Sequence, residues 1–393
     1  MSALQVLHIG KYFPPYTGGM ETYLRDAMTS LSRREIDSVA LVHQSEIGFR
    51  SSNETYETGG QSLPVTRAAV WIRLLFTPIS PTFPWLLNRL IKRHQPDILH
   101  IHMPNVSAFW ALFLPSARRI PWVIQWQSDV LASEHSRGLR LFYTLYRPFE
   151  RAMLKRAKAI ITSSPPYLES SMPLRDFRGK CSVIPLGLDP STLSDQPLPK
   201  ASQPDSQEST TTLQVLAIGR LSYYKGFDYL IRAVAQLEGI QVHLIGKGDQ
   251  ETTLKALAND LCAGNKIIFH GQLPGNELAL QFKRCDCVCL PSIERTEAFG
   301  LVLLEAMYFA KATLVSDVPG SGMGWVVDDG VTGLKIPPGN IAELTAALRF
   351  LHENRDKIAV FGRNGRDKFD QQFHIDQSTA DIARLYSRVL DAT

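Results

Sequence analysis

Apolar runs that end at glycine recur along the chain. LQVLHIG at 4–10 returns as LQVLAIG at 213–219, identical at six of seven positions. Each run is leucine-rich and lacks the alternation of a strand exposed on one face. That predicts a strand buried on both faces of a parallel sheet, entering a loop at its glycine. Behind the first copy, DSVALVH, DILHIHM, WVIQWQ and KAIITSS read as further strands. METYLRDAMTSLSRR and RLFYTLYRPFERAMLKRA lie between them with the helical 3.6-residue period. Behind the second copy, the strands QVHLIGKG, KIIFHGQ, CVCLPS and ATLVSDV are separated by helical stretches near 226–238, 249–263, 275–284 and 300–310. Strand alternating with helix at this spacing predicts a doubly wound α/β sheet. The pattern occurs twice.

A chain of 393 residues suits two such domains of roughly 150–200 residues each. The first is expected over 1–190 and the second over 213–375. The segment 191–212, containing DQPLPKASQPDSQESTTT, has no periodicity and reads as a linker or surface loop. A last helical stretch at 376–393 is free to cross back onto the first domain, which spacing alone does not decide. No stretch is long and apolar enough for a transmembrane helix, and MSALQVLHIGKYFPP lacks the marks of a secretory signal. Cys285, Cys287 and Cys289 alternate in CDCVCLP, which places all three on one face of a buried strand. No partner at zinc spacing stands nearby, so a reducing, cytoplasmic setting without disulfides is expected.

Net charge is +4, unevenly spread. Residues 1–190 hold 22 Lys+Arg against 14 Asp+Glu, and 67–158 alone hold 14 against 4, while 191–393 is acidic. The basic half suits an anionic membrane, a phosphorylated acceptor or a nucleic acid. No aromatic-basic recognition motif supports the last, and nucleic acid is not expected as a partner.

Open α/β sheets bind ligands beyond the carboxyl ends of their strands, so the loops there carry the candidate chemistry. After the first strand, Gly18 and Gly19 stand directly before a helix, where backbone N–H groups can approach an anion. The alternative is a plain tight turn. After the matching strand, Arg220 and Lys225 lie in a loop feeding a helix, a pair able to clamp a diphosphate. Gly246 follows one strand later in IGKGD. The sharpest pattern is SIERTEAFGLVLLEAM, where Glu297 and Glu305 are eight apart with Phe299, Gly300 and Leu301 between them opening a helix. Two carboxylates can accept hydrogen bonds from sugar or ribose hydroxyls, and the helix start favours phosphate.

Taken in order, Arg220, Lys225 and the Glu297/Glu305 pair resemble the donor site of retaining glycosyltransferases of the GT-B fold, the group 1 or family 4 type. Gly18, Gly19 and Glu21, VIPLGLD at 183–189 and GVTGL near 330–334 resemble it too, so the likeness spans nearly the whole chain. It implies two Rossmann-like domains facing a central cleft and transfer of a hexose, mannose-like, from a nucleotide-diphosphate sugar. Arg220 and Lys225 would neutralise the departing diphosphate. Glu297, with the N–H groups of Phe299 and Gly300, would hold the sugar, and Glu305 the ribose. Gly19 would contact the phosphates. No metal or other cofactor is implied, and no D-x-D motif argues otherwise.

One departure stands out. The family commonly has W-H-S-D where this chain has WQSDV, so Gln127 replaces a histidine that contacts the donor sugar. Gln127 can give and take hydrogen bonds but carries no proton at neutral pH, and lowered or altered activity is expected. Asp129 and His102 are candidates for the acceptor side, although a satisfied core histidine serves the DILHIHM pattern equally. Two stretches, VWIRLLFTPISPTFPWLLNRLIKRHQ and RLFYTLYRPFERAMLKRAK, are basic and amphipathic. Such surface can lie on an anionic inner leaflet and admit a polyprenyl-linked or other glycan acceptor; burial of the aromatics against the sheet is the equal alternative. The expected role is cell-surface polysaccharide synthesis, of lipopolysaccharide or exopolysaccharide. A nucleotide-sugar epimerase of the same fold and a silent binding subunit remain the rivals.

Overall fold

The structure, a computed structural model, describes residues 3–16, 18–74, 77–130, 137–193 and 212–392, apart from the side chains of 137–141. Most of the linker expected at 191–212 therefore lies outside the described residues. Two units separate: Met1–Asp189 with Ile375–Thr393, and Pro190–His374.

The first unit carries strands β1 (Leu4–Ile9), β2 (Ile36–Ile47), β3 (Ser52–Thr58), β4 (Gln61–Val70), β5 (Ile72–Leu74), β6 (Thr77–Ile79), β7 (Ile98–Met103), β8 (Trp122–Trp126), β9 (Ala159–Thr162) and β10 (Cys181–Val183). Eight form one sheet in the order β10-β9-β8-β7-β1-β2-β4-β3, while β5 and β6 make a separate hairpin. β7, β8 and β9 are buried along their whole length, which is why they read as mainly apolar runs without strict alternation, His100, His102 and Gln125 being buried with the rest. The helix Gly19–Ser32 lays Tyr23, Leu24, Ala27, Met28 and Leu31 inward at helical spacing.

The C-terminal helix Ile375–Asp391 belongs to this unit. It seats Ile382, Leu385, Tyr386 and Val389 in one cluster with Val6, Leu31, Ile98 and Val123. Four such side chains are worth roughly 6–12 kcal/mol of burial. Arg33 fixes the helix start by donating to Asp376 at 3.1 Å and to Asp189 at 3.0 Å.

The second unit holds β11 (Leu213–Ile218), β12 (Ile240–Ile245), β13 (Ile267–Gly271), β14 (Cys287–Leu290), β15 (Ala312–Ser316) and β16 (Gly333–Ile336). They form a six-stranded sheet in the order β13-β12-β11-β14-β15-β16, and every pair is parallel. Its core runs from β11 and β12 through the helices Phe227–Ala235 and Ile341–Glu353.

Three sequence expectations need correction. The first sheet is not wholly parallel, because β3 and β4 pair antiparallel at its edge. Gly59 and Gly60, both at positive φ, make the two-residue turn between them. The segment beginning at Trp71 is not one amphipathic stretch: it divides into β5, β6 and the helix Phe83–His94, with Pro81 between β6 and the helix. The three clustered cysteines do not share a face. Cys285 closes the helix Gly275–Arg284 and packs with Val288 and Phe282, whereas Cys287 and Cys289 face the other cluster. The chain needs the residues before β14 to turn out of the helix. No helix among the described residues is long and apolar enough to cross a membrane.

Candidate functional site

In the second unit the strand order reverses at β11, with β12 on one side and β14 on the other. Loops leaving two such strands in opposite directions open a crevice at their carboxyl ends. Arg220 and Lys225 follow β11, and Glu297 follows β14. Across 72 residues of chain, Lys225 Nζ donates to Glu297 Oε2 in an ion pair whose side chains are only 10% and 15% exposed. Burial alone pulls the Lys225 ammonium down. Glu297, helped by Tyr224, outweighs that and holds it above the ordinary lysine value, while the nearby Arg220 charge opposes. Arg220 is thus within electrostatic reach of the pair, with its own side chain in solvent. The cation at Lys225 is fixed in place and permanently charged at neutral pH.

The loops are locked together by backbone contacts. Gly219 N–H donates to Ile245 O and Leu221 N–H to Lys247 O, each at 3.0 Å. Gly246 stands between them at φ 139°, and a Cβ there would lie 1.9 Å from Gly219 O. Only glycine permits that approach, so Gly246 sets the loop carrying Arg220. From the far side, Ser321 Oγ donates to Glu297 O at 2.5 Å and Gly322 N–H to Ala298 O at 2.7 Å.

The helix Leu301–Tyr308 starts beside Glu297. Gly300 takes the left-handed conformation at φ 78° as its cap, with no side chain capping the helix. Phe299 turns its ring into the core, 6.4 Å from Trp325 and 6.2 Å from Phe373. Leu301 begins the first turn and Glu305 sits on the second, both half-buried. An uncapped helix start carries partial positive charge suited to an anion or a polarised oxygen. Arg220, Lys225, Glu297 and this helix start therefore share one rim.

In the first unit the order reverses at β1, between β2 and β7. A shallow hollow there is lined by Gly10, Lys11, Glu21, His102, Pro104 and Gln127 among others. Gly18 caps the helix Gly19–Ser32 without a side-chain bond of its own, and the buried Glu21 of the first turn brings its carboxylate back against Gly18. Gln127 is buried, its N–H donating to Met103 O at 3.0 Å. Asp129 is held by the fold: its Oδ1 accepts from Trp126 Nε1 at 2.8 Å and Ser171 Oγ at 2.7 Å.

His102 borders the hollow but belongs to a buried group with His8 and His100. His8 Nδ1 and His102 Nε2 are 3.2 Å apart, and Tyr386 Oη bonds His100 Nδ1 at 2.5 Å. Burial, reinforced by the neighbouring imidazoles, holds His8 and His102 well below the ordinary histidine value; burial takes His100 to about 3. All three are neutral at physiological pH. Three imidazoles so close could hold a metal ion. The rings of His100 and His102 stack at 4.6 Å and 20°, so their in-plane lone pairs run alongside each other rather than converging.

Two residues escaped the sequence reading. Lys11 lines the hollow directly after β1, a position that its place at a strand's carboxyl end could have flagged. Ser321 braces Glu297, and a serine in a glycine-rich loop gives no such sign.

Comparison with known proteins is consistent along the chain. Residues 18–187 match the family described as "Glycosyl transferase 4-like domain" and 200–368 match "Glycosyl transferases group 1". O-antigen chain mannosyltransferase C of Escherichia coli is 27% identical, over 99% of this chain and 100% of its own. D-rhamnosyltransferase WbpZ of Pseudomonas aeruginosa is 28% identical over 94% and 92%. Among solved structures, sucrose-phosphate synthase from Thermosynechococcus elongatus superposes with a TM-score of 0.82 at 20% identity, covering 99% of this chain and 100% of that one. WaaG, a glycosyltransferase involved in lipopolysaccharide biosynthesis, gives 0.71 at 19% identity, over 96% and 99%.

Proposed function

Because the chain belongs to the group 1 glycosyltransferases of the GT-B fold, we propose that it transfers a hexose of manno type, with retention, from a nucleoside-diphosphate sugar to a lipid-linked glycan. Transfer of mannose or rhamnose is common to the names of these relatives, two of which also name an O-antigen chain or a phosphatidyl-myo-inositol. The manno configuration and a guanosine donor rest on those names, one of which reads GDP-mannose-dependent.

The observation that carries the reading is the buried Lys225–Glu297 pair with Arg220 beside it at the start of an uncapped helix. As the bond from the sugar's anomeric carbon to the diphosphate oxygen breaks, negative charge gathers on the diphosphate. Arg220 and Lys225 stabilise that charge where it develops, the largest electrostatic demand of the step. Glu297 accepts from sugar hydroxyls and the helix start donates to the donor; Glu305 accepts from the ribose. The acceptor oxygen bonds the anomeric carbon on the face the diphosphate leaves, and its proton passes to the departing phosphate oxygen. Gln127 then needs only to donate a hydrogen bond. With two cations meeting the diphosphate, no divalent metal is required, and chelation should leave transfer intact. A polyprenyl-linked acceptor would confine the work to the inner face of a membrane, with the enzyme peripheral to it.

A thermal-shift series over nucleoside diphosphates and their sugars tests this. A ligand at a hundred times its Kd stabilises by about 2.7 kcal/mol, and the largest shift is expected for GDP and GDP-mannose. No shift with any nucleotide sugar defeats the proposal.

A further inference from the structure

Burying a polar ring is costly unless its nitrogens find partners. The first unit nevertheless buries three imidazoles side by side, on strands that end at the hollow. His8 of β1 lies across from His100 of β7, and His102 follows two residues on, so all three share one face of the sheet. Two contacts lock the last ring. His100 stacks on its face at 4.6 Å, and His8 Nδ1 meets its Nε2 at 3.2 Å. The C-terminal helix holds His100 in turn: the buried Tyr386 bonds its Nδ1 at 2.5 Å, across 286 residues of chain, and stands edge-on to its ring at 5.7 Å. One nitrogen is left over. Among the described residues, His102 Nδ1 is buried and has no hydrogen-bond partner.

His102 lines the hollow beside Gln127. The hollow offers about 10 Å³, room for a single oxygen of water size. A phosphate or carboxylate is too large for it. A hydroxyl group both donates and accepts, so it suits a neutral imidazole nitrogen in either tautomer. Burial, reinforced by His100 and His8, keeps the His102 ring neutral. The ring can therefore bond a hydroxyl without taking its proton, which remains for the departing phosphate.

We infer that His102 Nδ1 binds one hydroxyl group of the acceptor sugar, and that Tyr386, acting through His100, holds the ring in place for it. The inference rests on the sugar-transfer reading above and gives the acceptor a named contact in the first unit. His102 is then a binding residue and Tyr386 a positioning residue. The C-terminal helix, which adds apolar burial to this unit, thereby also serves acceptor recognition.

Transfer from GDP-mannose onto octyl α-mannoside by the full chain, with kcat and KM separated for each substrate, tests this. Asparagine places its amide where Nδ1 stands, and glutamine where Nε2 stands; both amides give and take hydrogen bonds. His102→Gln keeps the contact to His8 alone and should raise acceptor KM about tenfold. His102→Asn should stay within about threefold of the natural sequence. Tyr386→Phe should raise acceptor KM about fivefold in the natural sequence and not at all beside His102→Gln; a purely structural tyrosine would cost the same in both. Donor KM and thermal stabilisation by GDP-mannose should stay unchanged, because Arg220 and Lys225 lie in the second unit. Normal thermal midpoints show that each variant is folded. Unchanged acceptor KM in His102→Gln, or a larger loss in His102→Asn than in His102→Gln, overturns the hydroxyl contact. A rise confined to donor KM gives the hollow to the transferred sugar and overturns it too. Additive losses from Tyr386→Phe and His102→Gln remove the tyrosine's positioning role. Refusal of octyl α-mannoside by a chain that GDP-mannose still stabilises overturns the acceptor subsite. Refusal without such stabilisation strikes at the transferase reading, and the subsite falls with it.

Discussion

Glu150 offers a test of the first unit's electrostatics. It is 2% exposed on the helix Arg137–Arg156. Tyr143 Oη donates to its Oε2 at 3.2 Å, and among the described residues its Oε1 has no partner. Burial pushes the carboxyl from 4.5 up to about 7; the Tyr143 hydrogen bond pulls it down, Asp129 pushes it up and Arg147 pulls it down. The fold therefore holds this proton more tightly than the unfolded chain does, by about 3 kcal/mol at 1.36 kcal/mol per tenfold. For an acid raised in this way, the fold is most stable below pH 4.5, loses stability as pH climbs toward 7, and stays lower by that amount above it.

Glu150→Gln keeps the shape and cannot ionise. Its stability should lack this slope, so the two proteins should agree at the acid end and separate by up to about 3 kcal/mol above pH 7. Asp26, raised to about 6 chiefly by burial, adds its own slope to both and cancels in the difference. Urea unfolding followed by tryptophan fluorescence suits the test. Trp71, Trp85, Trp110, Trp122 and Trp126 lie in the first unit and only Trp325 in the second. Parallel stability–pH curves for the two proteins would refute the reasoning.

Lys225→Met removes a charge-assisted contact worth roughly 1.5–3 kcal/mol, so calorimetry should find nucleoside diphosphate binding about 10–100-fold weaker; an unchanged Kd would remove Lys225 from the site. Gly246→Ala forces a Cβ against Gly219 O and should cost at least about 2 kcal/mol by thermal unfolding while weakening donor binding; a stable variant with normal affinity counts against the locked-loop account. Gln127→His should raise the rate of transfer. Undetectable turnover by the natural sequence, rescued by the histidine, would mean that Gln127 abolishes activity rather than lowering it.

Double-faced burial explains why β1, β7, β8, β11 and β14 were readable: a strand covered on both sides is mostly apolar, with a few buried polar side chains such as His100 and Gln125, and that leaves a run in the sequence. The edge strand β3 obeys the opposite rule. Its SNETYET is largely exposed, so nothing apolar announced it, and only Gly59–Gly60 hinted at a hairpin. Asp129 was a candidate for the acceptor side, and the bonds that hold its carboxylate had no trace in the sequence, which shows residue type and not orientation. Its carboxylate faces Trp126 and Ser171, bonds made across 3 and 42 residues. The aromatics of the helix Phe83–His94 posed the same problem, since an apolar stripe has the same period whether it faces a sheet or a solvent. Leu86, Leu87 and Leu90 went inside while Trp85 stayed out.

The candidate site was legible for a topological reason rather than a local one. A βα unit places the residues after each strand on a single rim, so Arg220, Lys225, Glu297 and Gly300 could be assigned to one edge before any contact was known. Which acid meets which cation was not available. Glu297 and Glu305 flank the same helix start, and either could in principle have faced Lys225. The choice fell to Glu297 because its loop is clamped by Ser321 and Gly322 from the next strand's loop, a long-range constraint with no trace in spacing. Glu305 is left on the second helical turn, one turn further from the cation. That division lets Glu297 hold a buried charge in place and leaves Glu305 a turn away on the helix. Glu297→Gln breaks the buried pair with Lys225 and should therefore cost stability as well as activity.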